Sequence, residues 1–250
     1  MRLLILGGTT EASALARAVA GDGRVRATLS LAGRTRAPLA QPVPVRVGGF
    51  GGSEGLADYL TAHRIDAVID ATHPFASQIT ANAVAAARTA RVPLLGLVRP
   101  PWHAQAGDRW QVVSGIAAAA AALGPNKLRV LLTLGRQDLA PFVPMAHHFV
   151  LRSIDAPPVE LVPPGAEVIL ARGPFREDDE RALLTQRRID VVVTKNAGGE
   201  ATRAKLDAAR ALGLPVVMVA RPPLPDCEMV ETVQDALAWL DRHADSPRGA

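Results

Sequence analysis

The feature that most constrains the fold of this chain is an internal repeat. Ile65-Asp66-Ala67-Val68-Ile69-Asp70-Ala71-Thr72 opens a segment that closes at Pro93-Leu94-Leu95-Gly96-Leu97-Val98-Arg99-Pro100-Pro101. Ile189-Asp190-Val191-Val192-Val193-Thr194-Lys195-Asn196 opens a second, closing at Pro215-Val216-Val217-Met218-Val219-Ala220-Arg221-Pro222-Pro223. Each copy reads as buried strand, loop, amphipathic helix, buried strand and an Arg-Pro-Pro stop. The offset, a little over roughly 120 residues, is far longer than a solenoid repeat and indicates a duplicated domain. The loop after the first strand differs between the copies, so function is expected there.

Short apolar runs alternate with alanine-rich helical runs along the chain, the pattern of parallel sheets covered on both faces. The first half predicts strands near Arg2–Leu6, Val25–Leu31, Val43–Val47, Ala67–Ala71 and Leu94–Val98, with a further one at Trp110–Val113. Its helices are predicted near Glu11–Ala20, Glu54–His63, Ala76–Thr89 and Ile116–Leu123. Leu123-Gly124-Pro125-Asn126 is a turn cluster, which places the boundary between domains 1–124 and 125–250. The second half restarts at Arg129-Val130-Leu131-Leu132-Thr133-Leu134-Gly135, an echo of Arg2-Leu3-Leu4-Ile5-Leu6-Gly7. Its strands are expected near His148–Arg152, Glu167–Ala171, Val191–Thr194 and Val216–Ala220. Its helices are expected near Glu177–Arg187, Glu200–Leu212 and Thr232–Arg242, and the tail from Ala244 to Ala250 is expected to lack order. The fold class is therefore α/β: two Rossmann-like domains with mainly parallel sheets and a ligand cleft between them.

Composition narrows the function classes. The lone cysteine, Cys227, excludes an internal disulfide and fits a reducing compartment. The apolar start Leu3-Leu4-Ile5-Leu6 is too short for a secretory leader and no run is long enough to span a membrane, so a cytoplasmic chain without membrane association is expected. The net charge is +4, carried almost wholly by arginine. This is either genome composition or selection for an anionic ligand, because the guanidinium fork matches carboxylate and phosphate. Aromatic residues make up only 4% of the chain and none interleaves a basic stripe, so no nucleic-acid partner is expected.

Leu3-Leu4-Ile5-Leu6 runs into Gly7-Gly8-Thr9-Thr10-Glu11 and then a helix. Such a turn offers backbone N–H groups and the positive helix end to a diphosphate. The later glycines of the G-x-G-x-x-G fingerprint are absent, so a threonine-capped turn without a ligand stays open. No acid occurs between Asp22 and Glu54 to hold a ribose 2′-hydroxyl. Ser30, Gly33, Arg34 and Arg36 stand there instead, which suits a 2′-phosphate and favours NADP over NAD; an ordinary solvated loop is the other reading.

Thr72, His73 and Pro74 follow the strand expected beside the first one, at the point where ligands sit in doubly wound sheets. His73 is a candidate proton donor, or else a ring that holds its loop by hydrogen bonding. The counterpart loop is Lys195-Asn196-Ala197-Gly198-Gly199-Glu200, and Lys195 is one of only three lysines. Arg136 and Arg172 also follow predicted strands and join the candidate anion wall with Lys195, Asn196, Gly198, Gly199 and Glu200. Arg99 and Arg221 read as structural strand-end residues. Tyr59 has His63 rather than lysine four positions on, so the Tyr-x-x-x-Lys dehydrogenase pair is missing. Gly-x-Ser-x-Gly, the P-loop and zinc-ligand spacings are absent as well, and no metal is expected.

Taken in order, Leu6-Gly7-Gly8-Thr9-Thr10-Glu11, Asp70-Ala71-Thr72-His73-Pro74-Phe75-Ala76, Arg172-Gly173-Pro174-Phe175 and Thr194-Lys195-Asn196-Ala197-Gly198-Gly199-Glu200 resemble the precorrin-6A reductase family of cobalamin biosynthesis. The resemblance covers most of the chain. It implies an NADPH-dependent reduction of a double bond in a tetrapyrrole macrocycle, with Gly8, Thr9, Thr10 and Glu11 as cofactor loop. It further implies Thr72, His73 and Pro74 against the cofactor and Lys195 to Glu200 as the opposite wall. A polycarboxylate tetrapyrrole suits an arginine-rich site, and a monomer is expected. A small nucleotide-sugar transferase and a non-catalytic NADPH or ligand-binding module are the rival readings.

Overall fold

The computed structural model describes residues 1–33 and 40–244. Arg34 and Arg36 therefore lie outside the described residues, as does the end of the tail. The chain forms two compact units. One comprises Met1–Pro100 with Pro223–Ala250 and the other Pro101–Pro222.

The first unit contains β1 (Arg2–Leu6), α1 (Thr10–Val19), β2 (Arg26–Leu31), β3 (Val45–Val47), α2 (Gly52–Ala62), β4 (Ala67–Asp70), α3 (Ser77–Ala90) and β5 (Leu94–Leu97). The second contains β6 (Arg109–Val113), α4 (Ile116–Ala121), β7 (Arg129–Thr133), β8 (His148–Ser153), β9 (Glu167–Leu170), α5 (Glu177–Gln186), β10 (Val191–Lys195), α6 (Ala204–Ala211) and β11 (Pro215–Val219). The chain then returns to the first unit for β12 (Glu228–Val230) and α7 (Val233–Ala244).

Each unit holds a sheet of six strands, in the orders β3-β2-β1-β4-β5-β12 and β9-β8-β7-β10-β11-β6. Every pairing in both sheets is parallel. Both sheets thus have the doubly wound order, with the strand sequence reversing beside β1 in one and beside β7 in the other.

This arrangement corrects the expected boundary at residue 124. β6 and α4 were placed with the first half, yet β6 pairs with β11 in the second sheet. β12 was not foreseen, and it pairs with β5 in the first sheet. The sixth strand of each unit therefore comes from the far side of a crossover. The two crossovers fall at Pro100/Pro101 and Pro222/Pro223, the ends of the repeated Arg-Pro-Pro frames. Consecutive prolines have no N–H to donate to a sheet ladder and disfavour helix, so they end β5 and β11 and carry the chain out of each unit.

The strand pattern explains the layering. Successive residues of β1 point to opposite faces. Leu3 and Ile5 join a core with Leu15, Val19, Leu95, Trp239 and Leu240, beneath α1 and α7. Leu4 and Leu6 join another with Leu56, Leu60 and Val68, beneath α2 and α3. All four β1 residues are at most 2% exposed, and each buried side chain of this kind contributes about 1.5–3 kcal/mol. In the second unit Leu131, Val192, Val216 and Met218 pack with Leu184 of α5 and Leu206 of α6. Trp239 ties α7 to β12 by donating its indole N–H to Glu228 Oε2 at 2.9 Å. Among the described residues, no helix is long and apolar enough to cross a membrane.

Candidate functional site

In the first unit the carboxyl ends of three strands are level, because Leu6 is in register with Ser30 on β2 and with Asp70 on β4. The loops that follow are therefore neighbours. Gly7 donates its N–H to Ser30 O at 2.9 Å. A Cβ on Gly7 would lie 2.5 Å from Leu29 Cδ1 and 3.2 Å from Ala12 Cβ, so this glycine lets α1 approach the sheet. Gly8 differs: its φ is +124°, and among the described residues a Cβ there would meet nothing within 4 Å. Its backbone is open and adopts a conformation that only glycine takes without strain.

Thr9 caps α1. Its Oγ1 accepts from Ala12 N at 3.1 Å and donates to Ala71 O at 2.7 Å, which fastens the glycine turn to the loop after β4. The first turn of a helix has N–H groups with no intrahelical partner, and among the described residues those of Thr10 and Glu11 have no protein acceptor. The Gly8 turn and the start of α1 thus present backbone donors and a positive helix end to one region, which fits a diphosphate. Glu11 is used elsewhere. It accepts from Arg99 Nη1 at 2.7 Å and from Thr10 Oγ1 at 3.1 Å, so it anchors the end of β5.

The loop after β4 is fixed by its own side chains. Buried Asp70 accepts from both Thr72 N at 3.0 Å and Thr72 Oγ1 at 2.6 Å. His73 Nδ1 accepts from Phe75 N at 3.2 Å, which places the proton of a neutral ring on Nε2. His73 O accepts from Ala76 N at 2.7 Å, and Pro74 is buried. The histidine therefore holds its loop and at the same time carries an Nε2 donor; the two readings from sequence are compatible.

At the edge of this region lies a residue the sequence reading passed over. Arg46 on β3 is in register with Ser30. Its Nη1 lies 3.3 Å from Ser30 Oγ, and its guanidinium lies over the Phe50 ring at 3.8 Å. The signal available in sequence was an arginine within the acid-free stretch, one strand beyond Ser30. Gly33, with φ +72°, turns the chain out of β2.

In the second unit the corresponding ends are Thr133 on β7 and Thr194 on β10, again in register. Lys195 follows, with its ammonium 2.5 Å from Asp138 Oδ2. Asp138 also accepts from Gly135 N at 3.2 Å, so the short 3-10 turn Arg136–Asp138 brings Arg136 and the Lys195 partner to the same strand end. The Arg172 loop and the Glu200 turn meet: Phe175 N donates to Ala201 O at 3.1 Å, and a Cβ on Gly173 would lie 2.8 Å from that oxygen. Gly198 and Gly199 have φ of +70° and +79°, which shapes the turn before Glu200.

Asn196 is committed to holding the loop. Its Oδ1 accepts from Trp102 N at 2.8 Å and its Nδ2 donates to Trp102 O at 3.0 Å. Trp102 Nε1 in turn donates to Gly199 O at 3.0 Å. Arg221 donates to Asn196 O at 2.9 Å and Ala197 O at 3.0 Å, so its expected structural role stands. Asn196→Ala is expected to destabilise this unit by about 1–3 kcal/mol, since it leaves two backbone groups of Trp102 unpaired. Urea unfolding followed by tryptophan fluorescence measures this, and an unchanged midpoint would remove the clamp.

Among the described residues, no group of three or more His, Cys, Asp or Glu is arranged to hold a metal ion.

Comparison with known proteins bears on this geometry. A family model described as precorrin-6x reductase CbiJ/CobK matches residues 2–241. The chain is 51% identical to the precorrin-6A reductase of Rhodobacter capsulatus, over 99% of each chain. It is 31% identical to the cobalt-precorrin-6A reductase of Salmonella typhimurium, over 88% of this chain and 87% of that one. A solved structure of a CobK precorrin-6A reductase covers 100% of both chains with a TM-score of 0.90 and 48% identity.

Proposed function

Because the chain belongs to the precorrin-6x reductase family, a family of reductases acting in cobalamin biosynthesis, we propose that it uses NADPH to reduce a carbon–carbon double bond of the metal-free precorrin-6A macrocycle. The observation that carries the cofactor is the open Gly8 turn at the start of α1, with Ser30 rather than an acid at the end of β2. The preference for a metal-free macrocycle rests on identity. The chain is 51% and 52% identical to two relatives named for precorrin-6A, but 30% and 31% identical to two named for the cobalt form.

Gly8, Thr9 and Thr10 would hold the diphosphate through backbone N–H groups, while Gly7 and the Thr9 hydroxyl shape the turn from inside. NADPH bound there supplies the hydride. Thr72, His73 and Pro74 form the rigid loop fastened to that turn through Thr9, and the Nε2–H of His73 is the proton-donor candidate in this unit. In the second unit Lys195, Arg136 and Arg172 would take carboxylates of the substrate by charge-assisted hydrogen bonds. Asp138 fixes where the Lys195 ammonium points, and Gly198, Gly199 and Glu200 shape the adjoining turn. Most of the rate acceleration on this reading is alignment of two rings, since the cofactor carries the electron chemistry.

Loss of NADPH absorbance on adding precorrin-6A tests the reading; no oxidation would remove it, and equal turnover of the cobalt form would remove the metal preference. Lys195→Ala and Arg136→Ala are each expected to raise KM for the macrocycle by roughly 10–100-fold, the worth of one hydrogen bond to a charged group. If both leave kcat and KM unchanged, the anion wall is wrongly assigned.

A further inference from the structure

We infer that Arg46 reads the 2′-phosphate of the dinucleotide and sets the preference for NADPH over NADH; the inference rests on the proposal that the Gly8 turn binds that cofactor. Leu6, Ser30 and Arg46 are level on β1, β2 and β3. A dinucleotide whose diphosphate sits at the start of α1 lays its adenosine ribose over the end of β2. The described side chains at that level are Ser30 and, on the next strand, Arg46. The acid that would accept a ribose 2′-hydroxyl is replaced by Ser30, which is only 5% exposed and bonded to Arg46.

Arg46 is held ready by groups that leave its charge intact. Nη1 donates to Gly48 O at 2.5 Å and Nη2 to Gly49 O at 2.6 Å. The guanidinium lies 3.8 Å from the Phe50 centroid and 5.3 Å from that of Tyr59. Its orientation is therefore set by carbonyls and a ring face. Many other arginines of the chain sit on carboxylates, as Arg24, Arg99, Arg152, Arg181 and Arg187 do. Arg46 forms no ion pair with any described carboxylate. A part-buried, pre-oriented and unneutralised guanidinium favours an anion over a neutral hydroxyl. It also pays little ordering entropy when the anion arrives.

The test is direct binding without macrocycle, read by NADPH and NADH fluorescence. The wild-type chain is expected to bind NADPH more tightly than NADH. Arg46→Gln should weaken NADPH by roughly 10–100-fold and leave NADH within about twofold, because only one of the two carries the phosphate. Ser30→Asp is the second variant, in case Arg46→Gln fails to fold. A carboxylate beside Arg46 neutralises it and repels the phosphate, so this variant should also lose NADPH selectively. Equal loss of both dinucleotides in either folded variant would show a structural role and overturn the inference, as would no loss in either. If the wild-type chain binds neither dinucleotide, the cofactor proposal itself fails, a result separable from failure of Arg46 alone.

Discussion

Gly8→Ala is expected to abolish measurable NADPH binding while the first unit stays folded. The added Cβ meets no atom of the described residues within 4 Å, so it overlaps none of them. It does pay for backbone strain, because φ is +124°; about 1–3 kcal/mol is the usual cost of such a conformation. The methyl group would occupy the open side of the turn, where the proposed diphosphate would come close to the backbone. Gly7→Ala is the control. There the Cβ would strike Leu29 and Ala12 inside the protein, so stability should fall while the open side of the turn is untouched. Thermal unfolding and a fluorescence titration of both variants separate the two effects. Wild-type NADPH affinity in a folded Gly8→Ala chain would show that the turn is a cap and not a cofactor loop.

Glu180→Gln should strongly destabilise the second unit. Glu180 of α5 and Arg152 of β8 form an ion pair with residue exposures of 2% and 8%. The guanidinium is also stacked 4.0 Å from the Phe175 centroid. Removing the carboxylate charge strands a buried cation, which costs about 3–5 kcal/mol. The pair itself is not optimal, since among the described residues the buried Glu180 Oε2 has no hydrogen-bond partner. Replacing both partners, as in Arg152→Met with Glu180→Leu, should therefore recover most of the loss. Urea unfolding of the single and double variants measures this. A single variant within about 1 kcal/mol of wild type, a normal surface effect, would refute the assignment. Because Phe175 belongs to the Arg172 loop, the folded single variant should also show a raised KM for the macrocycle with kcat less affected.

The strands that carry the site were legible because they are local signals. β1, β4, β7 and β10 are short, continuous apolar runs followed by glycine, threonine or lysine, and the parallel reading follows from their burial on both faces. The loops after them could be ranked by residue type alone. Gly8, Lys195 and Arg136 lie at or just beyond the ends of β1, β10 and β7. The structure assigns Glu11 to Arg99 and Asn196 to Trp102, partners 88 and 94 positions away in the chain. No local pattern announces such a commitment, since an exposed Glu or Asn in a loop looks the same whether its partner is solvent, ligand or backbone. Arg46 was missed for the same reason: its meaning comes from register with Ser30 on the adjacent strand.

The internal repeat determined by itself that the chain holds two parallel α/β units, each closed by Arg-Pro-Pro. Hydrophobic period, turn residues and proline's missing N–H are properties of neighbouring residues, and they suffice for that. The tertiary structure decided which unit owns the sixth strands. β6 and β12 are three to five residues long and lie at sheet edges, so their burial pattern is weak. Their place is fixed by hydrogen bonds to β11 and β5. Those bonds span more than a hundred residues, and their energy exists only once the distant strand is in place.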